Sequence, residues 1–134
     1  RGLGDVYKRQ IDDSMISDFM GEIYGIMQQF QDFRLRVWTY DTQVYKESYK
    51  EFTPMNAEEI KEWKPIGCGG TDFECNYTFM EDNDIVPDKF INFTDGYPFG
   101  SWGNEAYCET LFVIHGSDSI KPPFGEHAYY DKAA

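Results

Sequence analysis

Gly67-Cys68-Gly69-Gly70-Thr71-Asp72-Phe73 is a glycine-rich turn that runs straight into an amphipathic segment and delivers one threonine to its mouth. Its counterpart is Phe90-Ile91-Asn92-Phe93-Thr94-Asp95-Gly96, an apolar run that reads as a buried strand and sets Asp95 at its carboxyl end. In open α/β sheets, ligands sit in the crevice outside such strand ends. A threonine hydroxyl and an aspartate carboxylate from two loops over one sheet edge are hard oxygen donors of the kind Mg²⁺ prefers. Thr71 and Asp95 are therefore the candidate metal ligands.

Upstream of this pair, Met15, Ile16, Phe19, Met20, Ile23, Ile26, Met27 and Phe30 recur at steps of three and four. That spacing predicts a helix from Asp12 to about Asp32 with one buried face. Asp12, Asp13 and Ser14 crowd its start as caps and dipole partners. Gly21 and Gly25 each cost a helix roughly 1 kcal/mol relative to Ala, and close packing against a sheet is the expected reason for them. Arg34 to Tyr40, in which Leu35, Val37 and Thr39 alternate with the other residues, and Gln43 to Tyr49, on either side of Asp41-Thr42, read as a hairpin whose more polar second strand lies at an edge. Asn56 and Glu59 have capping-box spacing, and Met55 is placed to staple onto Ile60, so a short helix is expected there.

Downstream, a helix is predicted from about Asp72 to Asn83, then the strand ending at Asp95, an irregular Gly/Pro-bearing stretch from Tyr97 to Asn104, and a strand at Leu111-Phe112-Val113-Ile114-His115. Pro122-Pro123-Phe124-Gly125 marks a turn, and the tail to Ala134 reads as weakly structured. Strands alternating with helices give the fold class: α/β, a doubly wound, mostly parallel sheet with helices on both faces.

Composition excludes several function classes. The 134 residues suit one domain, with enough apolar and aromatic content for a core. A formal charge of −12, with acids spread along the chain, argues against nucleic acid as a partner. Cys68, Cys75 and Cys108 are an odd set without CxxC spacing, which points away from a disulfide framework or zinc knuckle and toward a reducing cytoplasm. No apolar run reaches the length of a membrane span or signal core, so no membrane partner is expected. Residues 1–10 differ from the rest. They hold three basic residues and one acid, leaving 9 basic and 23 acidic residues in the other 124. This decapeptide resembles translated sequencing-adapter read-through and is set aside as a non-native head. The domain is then residues 11–129, with a tail at 130–134.

Taken in order, Ile11-Asp12-Asp13-Ser14-Met15-Ile16-Ser17-Asp18-Phe19, the hairpin around Tyr40-Asp41, Gly69-Gly70-Thr71-Asp72-Phe73, Thr94-Asp95-Gly96-Tyr97 and Leu111-Phe112-Val113-Ile114-His115-Gly116 resemble the von Willebrand factor A-like (VWA-like) domain found at the carboxyl end of a family of metallopeptidase-like proteins. The resemblance implies a doubly wound sheet with a metal-ion-dependent adhesion site at its carboxyl edge. In that site, a divalent cation is held by an Asp-x-Ser-x-Ser loop after the first strand, by a threonine and by an aspartate. Thr71 and Asp95 match the last two. The Asp-x-Ser-x-Ser loop and its apolar strand belong immediately before Ile11, where the foreign-looking head stands. The expectation is therefore a chain truncated inside the motif, with the first central strand missing or replaced, an incomplete metal site and a less stable fold.

The resemblance implies a protein-interaction module that binds a partner's carboxylate through Mg²⁺ or Mn²⁺, in relatives sometimes within an ATPase-containing assembly. An upstream peptidase-like region is implied for the intact parent. The residues here contain no HExxH, so no peptidase activity of their own is expected. The alternative is a small Mg²⁺-dependent phosphohydrolase using Asp95 and Thr71, favoured by the glycine loop's backbone N–H groups. Other residues have plainer readings. Asp72 partners a helix dipole, Asp41 a hairpin turn, His115 is a satisfied core group and Cys68 a small buried thiol; Thr71 with Glu74 also has capping-box spacing.

Overall fold

The computed structural model describes residues 13–66 and 72–130. Helix α1, Asp13–Met27, buries Ile16, Met20 and Ile23, spaced four and three apart, and stacks Phe19 on Phe93 with ring centroids 4.4 Å apart. Each such aliphatic side chain contributes about 1.5–3 kcal/mol when fully buried. The buried stripe is shorter than the periodicity implied. The helix ends at Met27 and the chain turns through Gln29 N–H to Ile26 O and Phe30 N–H to Met27 O, which leaves Ile26 and Phe30 exposed. Close packing does not explain Gly21 and Gly25: among the described residues, a Cβ at either position would meet nothing within 4 Å.

Strands β1, Leu35–Tyr40, and β2, Val44–Phe52, form the expected antiparallel hairpin, with Leu35 opposite Phe52 and Tyr40 opposite Val44. The register shifts between Val37 and Thr39. There, the buried Ser48 side chain stands in for the ladder, accepting from Thr39 N–H at 2.8 Å and donating to Tyr45 O at 2.6 Å. Thr39 Oγ1 in turn donates to Ile66 O at 2.6 Å, fastening the hairpin to the segment that enters the glycine loop.

The short helix after the hairpin is a 3-10 turn, Ala57–Glu62. It has neither a capping box nor a staple. Asn56 turns backward, accepting from Thr53 N–H at 2.7 Å and donating to Glu51 O at 3.3 Å. Met55 is 97% exposed while Ile60 is fully buried against Ile16, Met20, Phe52 and Ala57. Local side-chain bonds of this kind compete with helix capping.

Helix α2 is Glu74–Asp82, followed by β3, Phe90–Thr94, and β4, Thr110–His115. The tail is not weakly structured throughout: Glu126–Tyr130 forms β5, paired parallel to β4 with Leu111 opposite Glu126. Its Glu-His-Ala-Tyr-Tyr sequence carries no apolar alternation because neither face is deeply covered. Backbone pairing holds it instead, helped by the exposed Lys89–Glu126 ion pair and by Tyr129 Oη donating to Ile120 O at 2.7 Å. The turn into β5 needs Gly125, whose φ is +72° and whose added Cβ would lie 2.6 Å from Thr110 O.

The result is a mixed α/β fold with a parallel three-stranded sheet, β3–β4–β5, and helices on both faces. Leu35, Val37 and Phe93 pack on the α1 side, while Trp38, Val44 and Phe90 pack on the α2 side with Tyr77, Phe79 and Met80. The same two helices thus sandwich the hairpin and the parallel sheet. Among the described residues no ladder joins β1 to β3. Their side chains meet instead, Trp38 stacking near-parallel on Phe90 at 6.0 Å. Residues 1–12, where a missing or replaced first strand was expected, lie outside the described residues. No helix among the described residues is long and apolar enough to cross a membrane.

Candidate site at the carboxyl ends of the strands

β3 delivers Thr94 and Asp95 to the carboxyl edge of the sheet, both buried, Asp95 at 8% exposure. Each fixes the turn that follows. Thr94 Oγ1 accepts from Gly96 N–H at 3.1 Å, and Asp95 Oδ1 accepts from Tyr97 N–H at 3.0 Å. Gly96, at φ +83°, is pressed against Ile120 and Ile114, where an added Cβ would lie 3.0–3.3 Å from their side chains.

β1 ends at the same edge with Tyr40 and Asp41. The Asp41 carboxylate closes the hairpin turn, accepting from Thr42 N–H, from Gln43 N–H and from the Tyr45 hydroxyl. The Tyr45 bond is the main reason its carboxyl is held below the usual range, the turn's N–H groups adding to it. Asp41 O accepts from Asp72 N–H at 2.9 Å, so the hairpin turn and the entrance to α2 are joined. Asp72 Oδ1 accepts from Glu74 N–H at 3.1 Å, satisfying one of the helix's orphan donors.

Between these ends lies a polar network that the sequence reading did not single out. Tyr40 Oη donates to Asn92 Oδ1 at 2.7 Å, Trp38 Nε1 donates to Asn76 Oδ1 at 2.8 Å, and Asn76 Nδ2 donates to Phe73 O at 3.2 Å. Burial pushes the Tyr40 phenol far above its ordinary value, and Cys75 and Asp95 push the same way while Asn92 opposes. Cys75 is pushed up to about 12, first by burial and then by the charges of Asp72 and Asp41, so it is a neutral thiol at neutral pH. Asn92 is 2% exposed and its Nδ2 has no hydrogen-bond partner. An asparagine inside Phe-Ile-Asn-Phe was the available signal, because a polar residue in a buried strand requires partners.

Thr71, the other residue singled out as a ligand, lies outside the described residues, as do Gly67, Cys68, Gly69 and Gly70. His115 is buried at the end of β4 with its ring tilted against Phe93 at 5.2 Å. Among the described residues, no group of three or more His, Cys, Asp and Glu side chains is arranged to hold a metal ion. The Asp95 carboxylate, at this edge, is a hard oxygen donor and suits Mg²⁺ or Mn²⁺ in kind.

No curated protein and no solved structure matches the chain. A family model does, that of the VWA-like domain (DUF2201), and its match runs over residues 9–131, through α1, the hairpin, α2 and all three parallel strands. With that coverage and a parallel sheet flanked by helices, the chain belongs to the VWA-like domain family (DUF2201).

Proposed function

We propose that this domain is a protein-interaction module in which Thr71 and Asp95 hold a Mg²⁺ or Mn²⁺ ion whose open position takes a carboxylate from a partner protein. The observation that carries the reading is the buried Asp95 carboxylate immediately after the carboxyl end of β3. Thr71 immediately precedes Asp72, and Asp72 is tied by its N–H to the end of β1. The ion supplies local positive potential on a chain of net charge −12, which is what an acidic side chain needs in order to dock here. Two protein donors leave most of the shell to water, so affinity is weak and rises with an Asp-x-Ser-x-Ser loop. The partner's setting, including an ATPase-containing assembly, and an upstream peptidase-like region in a longer parent belong to the same proposal.

Calorimetric titration of Mg²⁺ and Mn²⁺ tests it. The titration uses this chain, its Asp95→Asn and Thr71→Val variants, and a version whose first ten residues are replaced by an apolar strand ending in Asp-Thr-Ser-Gly-Ser. Asp95→Asn keeps an acceptor for Tyr97 N–H while removing the charge, so a loss of metal binding reports ligation. The reading expects the strand-bearing version to bind most tightly and to lose at least tenfold in affinity with either substitution. Equal binding with and without Asp95 would refute it. Metal-dependent turnover of p-nitrophenyl phosphate that Asp95→Asn abolishes would instead establish the phosphohydrolase.

A further inference from the structure

The loop that leaves Asp95 has both ends built into the core and an aromatic tip in solvent. At its start, Gly96 and Tyr97 donate to Thr94 Oγ1 and Asp95 Oδ1. At its far end, Trp102 sits edge-on to Phe73 at 5.5 Å and to Phe112 at 5.2 Å. Gly103, at φ +124°, lies so close to the Tyr77 ring that an added Cβ would stand 2.2 Å from it. Between these attachments, Tyr97-Pro98-Phe99-Gly100 projects outward. Phe99 is 84% exposed and Tyr97 is half exposed. Pro98 restricts the backbone further. Leaving a phenylalanine in water on a loop held in one shape forgoes burial that a floppy loop could recover by folding back, and a pre-organised aromatic is the usual anchor of a protein interface.

The surroundings specify what fits. No charged residue occurs from Gly96 to Asn104, and the acids Asp95 and Glu105 stand immediately before and after that stretch. The whole chain carries 24 acidic and 12 basic residues. An apolar tip flanked in sequence by acidic residues, on a chain of net charge −12, complements an apolar side chain flanked by positive charge.

We propose that the Tyr97–Gly100 tip is a docking surface for a protein segment that presents an apolar side chain flanked by lysines or arginines, Phe99 being the anchor. The contact requires no bound cation, so it stands or falls separately from metal ligation at Asp95.

The test is fluorescence anisotropy in EDTA with two labelled peptides, Lys-Leu-Lys-Phe-Leu-Lys-Leu-Lys and the same sequence with Glu in place of each Lys. Three proteins are titrated: the parent chain, Phe99→Ser and Met55→Ser, the last removing another exposed apolar side chain, on the far side of the hairpin in sequence. The parent chain is expected to bind the basic peptide and not the acidic one. Phe99→Ser should weaken that binding at least tenfold with unchanged circular dichroism and melting temperature, and Met55→Ser should leave it unchanged. Failure of the basic peptide to bind, equal binding of the acidic peptide, an unaltered affinity in Phe99→Ser, or an equal loss in Met55→Ser would each overturn the proposal.

Discussion

Tyr40 Oη and Asn92 Oδ1 lie 2.7 Å apart, a side-chain hydrogen bond from the end of one strand to the middle of another with which it shares no ladder. Asn92 is buried and Tyr40 half-buried, and Asn92 already carries one amide end without a partner. Deleting the phenol oxygen therefore strands the other end as well. A buried polar group left unsatisfied costs about 1–3 kcal/mol.

Tyr40→Phe is accordingly expected to lower stability by about 1–3 kcal/mol, read as a fall in the urea midpoint with an unchanged slope. Asn92→Leu removes the unpartnered amide and fills the same strand position with an apolar side chain, so in the Tyr40→Phe background it should restore part of the loss. A cycle with no coupling between the two positions would show that the bond carries no net stability.

The glycines of α1 and of the aromatic loop should respond in opposite directions. Gly21→Ala and Gly25→Ala meet open space within a helix and are expected to raise stability by about 1 kcal/mol each. Gly103→Ala forces a Cβ into the Tyr77 ring at a φ that L residues rarely adopt, and should destabilise by more than the helix substitutions gain. Thermal melts of the three variants check the signs.

What could be read from the sequence follows from how each residue is held. The apolar steps Ile16, Met20 and Ile23 announce α1 because burial itself selects them, and Phe90 to Thr94 announces β3 for the same reason. Periodicity could not say that the stripe stops before Ile26, since that depends on where the chain turns at Gln28. β5 left no signal because Glu126 to Tyr130 is held by its backbone beside β4 and not by buried side chains. Asn56 has the right spacing for a cap, yet Thr53 N–H and Glu51 O compete for the same amide. At the site, Asp95 was legible as the residue after an apolar strand. The Tyr40–Asn92 bond below it was not, because it joins residues 52 positions apart.

Cys75 should be slow toward alkylating reagents. Its thiol is pushed up to about 12, so the reactive thiolate is scarce at neutral pH and its fraction climbs about tenfold per pH unit until that value is approached. Asp72→Asn removes one of the two carboxylates that disfavour the thiolate, which lowers the pKa and speeds the reaction. Peptide mapping after timed iodoacetamide exposure at several pH values separates Cys75 from Cys68 and Cys108. A Cys75 rate that is fast and flat above pH 8 would contradict the burial described here.

Asp41 gives a stability dependence of the opposite kind. Its folded-state carboxyl is held below the ordinary value of 3.8, chiefly by the Tyr45 hydroxyl and then by the Thr42 and Gln43 N–H groups. A group whose pKa is depressed on folding contributes stability above its unfolded pKa and loses it as pH falls through the folded one. The window therefore lies below about pH 4. Asp41 is partly solvated, and screening keeps the effect small. Tyr45→Phe should raise the Asp41 pKa toward its ordinary value and weaken this part of the acid dependence, while Asp41→Asn should remove it altogether. Carboxyl chemical shifts followed from pH 2 to 6 measure the first, and urea midpoints at pH 3 and pH 6 measure the second. If Asp41→Asn loses as much stability as the parent chain between those pH values, the turn's carboxylate is not among the groups that set acid sensitivity.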